Sequence, residues 1–192
     1  TPNVAGTSNC ILTASQLGNE SYAPANDVQY LISITKLTLT VSPEAKSRTY
    51  GEPIPTYSYL ISGFKSGENE SNAAGYSAPT CTSDYTSSTS AANSPRTISC
   101  TAGSATNYNF ITSATANLVI SKASQTISFT QPSAMTYGDA DQSLTYSSDS
   151  SLAVTLTSND TNICTLVSNK AHIVTTGTCS ITASQSGDTT YN

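Results

Sequence analysis

Charged side chains are scarce in this sequence. They make up 10% of its 192 residues, against about 25% in an average soluble domain. The seven Lys and Arg residues form no cluster, so the cations that displace phosphate counterions from a nucleic acid are missing. His172, the only histidine, lies in the strand-like AHIV. It has no second imidazole and no Ser-His-Asp order around it, which excludes the usual hydrolytic relay and leaves a plain strand histidine. The cysteines form neither CxxC nor a His/Cys cluster, so zinc is not expected. No cofactor motif is present. No apolar run approaches the roughly 18 residues of a membrane span. The opening TPNVAG has neither the basic start nor the apolar stretch of a signal peptide, and Thr1 is read as a cut end.

What the sequence has in abundance is Ser and Thr, roughly a third of all residues and well above ordinary usage. A disordered glycosylated stalk shares that bias. Such a stalk does not need the regular apolar alternation, eleven tyrosines and spaced cysteines found here. β-Branched and aromatic residues suit pleated strands, and the expected class is all-β. Period-two alternation marks the strands. Val28, Tyr30, Ile32 and Ile34 fall on even positions, while Leu37, Leu39 and Val41 fall on odd ones. A one-residue slip sends every side chain to the opposite face, so the chain is expected to leave one core at Thr35-Lys36 and enter another. The same change recurs between Leu118/Ile120 and Ile127/Phe129, at Ser121-Lys122, 86 residues on (122 − 36). Further core strands are expected at Tyr57/Tyr59/Ile61, Ile98/Cys100, Tyr108/Phe110, Leu152/Val154/Leu156, Cys164/Leu166 and Cys179/Ile181/Ala183.

The five cysteines are Cys10, Cys81, Cys100, Cys164 and Cys179. Cys81 and Cys100 lie 19 apart (100 − 81), and Cys164 and Cys179 lie 15 apart (179 − 164). Both spacings suit neighbouring strands joined by a loop, so two disulfides are expected. Each would contribute about 3 kcal/mol in the chain-entropy model. Disulfides belong to oxidising, extracytoplasmic settings. Cys10 is left over, with no His or Lys near it in sequence to activate a thiolate. It is expected to be half of a disulfide whose partner lies outside the chain.

That expectation comes from an internal repeat. NCILTASQLGNESY at 9–22 matches TCSITASQSGDTTY at 178–191 with a constant offset of 169 (179 − 10). RTYGEP at 48–53 and MTYGDA at 135–140 share Thr-Tyr-Gly-acid, offset by 87 (137 − 50). Together these give three pieces. Residues 1–35 are the C-terminal part of one module, 36–121 a whole module, and 122–192 a module without its last strand. Asp139, Asp141 and Asp149 lack the dense spacing of a calcium loop and are read as turn acids. Glu68 and Glu70 sit in the polar SGENES, an unpromising place for acid/base work. Sequons at Asn19, Asn69 and Asn159 carry little weight in so Ser/Thr-rich a chain.

The stretches ITKLTLTVSPEAKSRTYGEPIPTYSYLISGF, SKASQTISFTQPSAMTYGDADQSLTYSS and TGTCSITASQSGDTTYN resemble the MBG and related immunoglobulin-like modules of large bacterial surface proteins. The resemblance implies tandem β-sandwiches in an elongated extracellular array, with no catalytic residues to carry over. Similar modules often carry a cysteine pair where Cys164 and Cys179 stand. The sequence departs from the pattern between Glu68 and Ala92, which is long and polar.

Two functions are then open. One is a disulfide-stapled, semi-rigid spacer or fibre unit; junctions of only about two residues suit a rod. The other is an adhesin domain that meets a glycan or protein receptor through exposed tyrosines such as Tyr76 and Tyr85. The expected partners are neighbouring modules of the same array, or head-to-tail copies in which Val28, Tyr30, Ile32 and Ile34 of one fill the place left open in residues 122–192 of the next.

Overall fold

The computed structural model describes residues 8–192. The protein is all-β, with sixteen strands and no α-helix among the described residues. The first strands are β1 (Ser8–Gln16), β2 (Ala25–Ile34), β3 (Leu37–Pro43), β4 (Lys46–Thr49) and β5 (Tyr59–Ser62). Next come β6 (Thr80–Thr82), β7 (Arg96–Thr101), β8 (Tyr108–Ile111) and β9 (Thr115–Ser121). The remainder are β10 (Ile127–Phe129), β11 (Gln142–Ser143), β12 (Tyr146–Ser148), β13 (Thr155–Ser158), β14 (Cys164–Val167), β15 (Lys170–Ile173) and β16 (Ile181–Ser184). The chain divides into two compact units. One gathers Thr1–Lys46, Pro55–Tyr85 and Pro95–Leu118; the other gathers Ser47–Ile54, Thr86–Ser94 and Val119–Asn192.

In the first unit β3 is the middle of a sheet ordered β5-β3-β8, antiparallel to β5 and parallel to β8. Its central residues alternate. Leu39 and Val41 are fully buried while Thr38 and Thr40 face solvent. A second sheet runs β4-β9-β7-β6; Ser47–Thr49 of β4 and Val119–Ser121 of β9 belong to the second unit, while in the first Ile98, Cys100 and Leu118 point inward. Fully burying an aliphatic side chain of this kind contributes about 1.5–3 kcal/mol. Leu39, Ala73, Ala105 and Tyr108 form one continuous cluster, with Ile61, Phe64, Tyr76 and Phe110 packed against it. The rings of Phe64 and Tyr108 meet edge-on at 5.4 Å, a favoured aromatic geometry. The Tyr108 hydroxyl donates to Glu68 at 2.5 Å and accepts from the Lys65 backbone N–H at 3.1 Å. The carboxylate beside it raises the phenol pKa above its ordinary value. This bond ties the polar Glu68–Ala92 segment to β8. That segment folds as the short β6 and a 3₁₀ turn at Ala91–Asn93, capped by the Ser90 side chain.

In the second unit the short sheets are β10-β12, β11-β15-β14 and β13-β16. Leu156, Cys164 and Ala171 are buried there. Tyr50 and Tyr191 meet edge-to-face at 5.5 Å, and the Ile120 N–H donates to the Ser94 hydroxyl at 2.8 Å.

Four residues expected in strands lie just before them. Leu152 and Val154 precede β13 because Ser151 takes a positive φ of 61° and bends the chain there. Tyr57 precedes β5, close behind Pro53 and Pro55, which carry no N–H for a ladder. Cys179 precedes β16, two residues after Gly177 at φ 153°.

Candidate assembly site

β1 and β2 pair only with each other among the described residues. Their antiparallel register sets Cys10 opposite Ile32, Leu12 opposite Tyr30 and Ala14 opposite Val28. All six side chains therefore share one face. Among the described residues that face stays open: Tyr30 is 72% exposed and Ile32 46%. The chain reverses between the strands through a turn in which Asn19 accepts from the N–H groups of Ser21 and Tyr22, at 2.9 and 3.0 Å. Gly18 enters the turn at φ +72°, where a Cβ would stand 2.4 Å from the Tyr22 carbonyl oxygen. Only glycine fits that approach.

The same ladder occurs a second time, 86 residues on. β7 and β9 set Arg96 opposite Leu118 and Ile98 opposite Ala116. Partner numbers sum to 42 in the hairpin and 214 here (10 + 32; 96 + 118), a shift of 86 per strand ((214 − 42)/2), the same offset that separates the Lys36 and Lys122 junctions. β9 is thus the counterpart of β2. In its sheet β9 lies between β7 and β4, and Leu118, the counterpart of Ile32, is fully buried.

The second unit repeats features of this ladder. Ile181 stands 169 residues after Leu12 and 83 after Ile98 (181 − 12; 181 − 98). Asp188 makes the Asn19 turn again, accepting from Thr190 and Tyr191 N–H at 2.7 and 2.9 Å. Those two hydrogen bonds, Tyr191 first, hold its carboxyl pKa below the ordinary range. Ala123 and Tyr191 form a parallel bridge, as Leu37 and Tyr108 do. The Thr-Tyr-Gly-acid turns also match: Thr49 N–H donates to Glu52 and Thr136 N–H to Asp139, each at 2.7 Å. Residues 133–136 are therefore the counterpart of β4 (46 + 87 = 133). No strand joins them to β16 among the described residues. A groove of about 640 Å³ lies there, with Ser133, Ala134 and Met135 on one wall, Cys179, Ser180 and Ile181 on another, and Phe129, Ala171 and Ile173 completing it. Sequence alone reveals one wall, through the repeat at 178–191. The wall at 133–135 follows from the Thr-Tyr-Gly turn only once β4 is seen beside β9.

The remaining sequence candidates divide between these elements and the rest of the fold. Cys81 bonds Cys100 across the β6–β7 ladder, and Cys164 bonds Cys179. Cys10 carries a free, half-buried thiol. Val28, Tyr30, Ile32 and Ile34 all belong to β2. His172 contacts Asp141 at 2.7 Å on an exposed surface, and among the described residues no three His, Cys, Asp or Glu side chains gather to hold a metal. Glu68 is engaged by Tyr108, and Glu70 lies 3.5 Å from the Tyr59 hydroxyl. The tyrosines expected to be exposed are not. Tyr85 is 2% exposed. Tyr76 packs on Phe64 and Phe110, and burial followed by the Tyr59 hydrogen bond raises its pKa well above the ordinary phenol value. Tyr76 is drawn inward because the long polar segment that carries it packs on β8 and brings Ala73 into the core.

Residues 39–119 match the MBG domain (YGX type). This segment holds most of β3, all of β4 to β8 and most of β9, together with the Thr49-Tyr50-Gly51 turn. No curated protein and no solved structure matches the chain significantly. The MBG domain points to a repeat module of extracellular surface proteins, a structural family. Two disulfides fit that location. No helix among the described residues is long and apolar enough to cross a membrane.

Proposed function

We propose that the chain is a repeat segment of a large extracellular bacterial surface or filament protein, and that it acts as a disulfide-stapled, semi-rigid spacer rather than as an enzyme. In this reading its modules are 1–35, 36–121 and 122–192 of a tandem array. The observation that carries this reading is the β1–β2 ladder recurring as β7–β9 at one fixed offset of 86 on both strands. Repeated, stackable units serve length and reach better than chemistry. The alternative is an adhesin domain that binds through exposed tyrosines: of the two examples, Tyr85 is buried and Tyr76 partly buried, while Tyr22, Tyr30 and Tyr137 are exposed. Spaced labelling tests the proposal: antibodies to this segment should decorate intact, unpermeabilised cells on projecting surface material. Labelling that appears only after the envelope is opened would overturn it.

A further inference from the structure

We propose that the Thr49-Tyr50-Gly51 turn is a clasp that docks one repeat on the next, with the turn at Asp188–Tyr191 as its receiver. The inference rests on the reading of the chain as a repeat segment and assigns the surface through which neighbouring repeats meet. In that reading the middle module ends at Ser121. Yet Ser47–Ile54 and Thr86–Ser94 fold inside the second compact unit, together with Val119–Asn192. Two pieces of one repeat thus belong to the compact body of the following one.

The turn does not need its tyrosine to close. Thr49 N–H donates to the Glu52 carboxylate at 2.7 Å, and Glu52 N–H donates to the Thr49 carbonyl at 3.1 Å. Thr136 and Asp139 close the second Thr-Tyr-Gly turn with the same two bonds, at 2.7 and 3.0 Å. Gly51 and Gly138 take φ of +89° and +96°, a region open to glycine. The rings differ only in what surrounds them. Tyr137 is 66% exposed, whereas Tyr50 is half-buried and meets Tyr191 edge-to-face at 5.5 Å.

Hydrogen bonds hold the clasp from several sides. Tyr50 N–H donates to the Ser121 carbonyl at 2.9 Å, at the junction itself, and Gly51 N–H donates to the Ser87 carbonyl at 3.0 Å. From the 86–94 segment, the Ser90 hydroxyl donates to the Thr189 carbonyl at 3.0 Å. The receiver is a fixed turn, since Tyr191 N–H is held by Asp188 and the residue bridges to Ala123. Tyr50 and Tyr191 stand 141 residues apart (191 − 50), and neither 36–121 nor 122–192 contains both. Stability in a repeat protein is roughly each repeat's own term plus a term from contact with its neighbour. The ring pair and these bonds supply the neighbour term.

Amide exchange in the full chain tests this. Tyr50→Ala should speed exchange at Tyr191 and Ala123 about tenfold, because an aromatic pair and its burial are lost. Tyr50→Phe, which keeps the ring, should not. Tyr137→Ala, at the same place in the other turn, should leave both amides unchanged. The coupling must also be mutual, so Tyr191→Ala should speed exchange at Gly51. Tyr50→Leu, which keeps an apolar side chain without the ring, gives the same reading should Tyr50→Ala not fold. Unchanged exchange at Tyr191 and Ala123, or an equal change from Tyr137→Ala, overturns the proposal. So does faster exchange confined to Glu52, which would make Tyr50 a residue of its own turn alone. Surface labelling of cells reads the spacer separately, and positive labelling beside any of these contrary results would strike only the clasp.

Discussion

Asn19 and Asp188 perform one task 169 residues apart (188 − 19). Each side chain accepts from the two backbone N–H groups that close a Gly-initiated turn, Asn19 from Ser21 and Tyr22 and Asp188 from Thr190 and Tyr191. One acceptor is neutral at every pH and the other titrates, so the protein contains its own control. The Asp188 pKa is lowered in the fold. Its stabilising effect is therefore full above the unfolded value of about 3.9 and is lost as pH falls through the lower folded value. Amide exchange, corrected for intrinsic rates, should show protection at Tyr191 falling in acid below about pH 4. Protection at Tyr22 should not follow it. Parallel loss at both turns would show that the carboxylate is not the cause.

Leu118 and Ile32 hold one register position in two ladders, yet only Leu118 is buried. Leu118→Ala should destabilise the first unit by about 3 kcal/mol, from lost transfer energy and the cavity left behind. Ile32→Ala, in dilute chains, should cost less than about 1 kcal/mol. Denaturant titration of both variants measures the contrast.

Gly187 is the turn glycine of the second unit, at φ +74°, and an added Cβ would stand 2.6 Å from the Tyr191 carbonyl oxygen. Gly187→Ala should therefore destabilise by more than the roughly 1 kcal/mol of an ordinary turn glycine. It should also open the Ala123–Tyr191 bridge. Amide exchange at Ala123 and Asn192, whose N–H groups bond Thr190 and Ala123 carbonyls, reports that opening.

Cys164 and Cys179 close a 15-residue separation. Replacing both with Ala should lower the stability of the second unit by about 3 kcal/mol. The first unit, stapled separately by Cys81–Cys100, should keep its transition. A single shared loss would mean that the two units unfold as one.

Much of the strand pattern was legible because alternation is a local property. The parity change at Thr35-Lys36 falls where β2 ends at Ile34 and β3 begins at Leu37. The cysteine spacings bracket the two bonded pairs for the same reason. What was not legible depends on contacts far along the chain. Tyr85 reads as a surface tyrosine among Ser and Thr, and its burial follows only from the path of the 68–92 segment. Leu152 and Val154 alternate like a strand, but the left-handed Ser151 removes them from the ladder. Periodicity also says which face a side chain takes and nothing about which backbone edge is already paired. The wall at 133–135 therefore emerged only from seeing β4 against β9.

Small-angle scattering of the dilute chain tests the spacer most directly. Modules joined in series by short junctions should give an elongated particle, with a radius of gyration well above the roughly 16 Å of one compact domain of this length. A value near that figure, with the distance distribution of a sphere, would contradict the proposal.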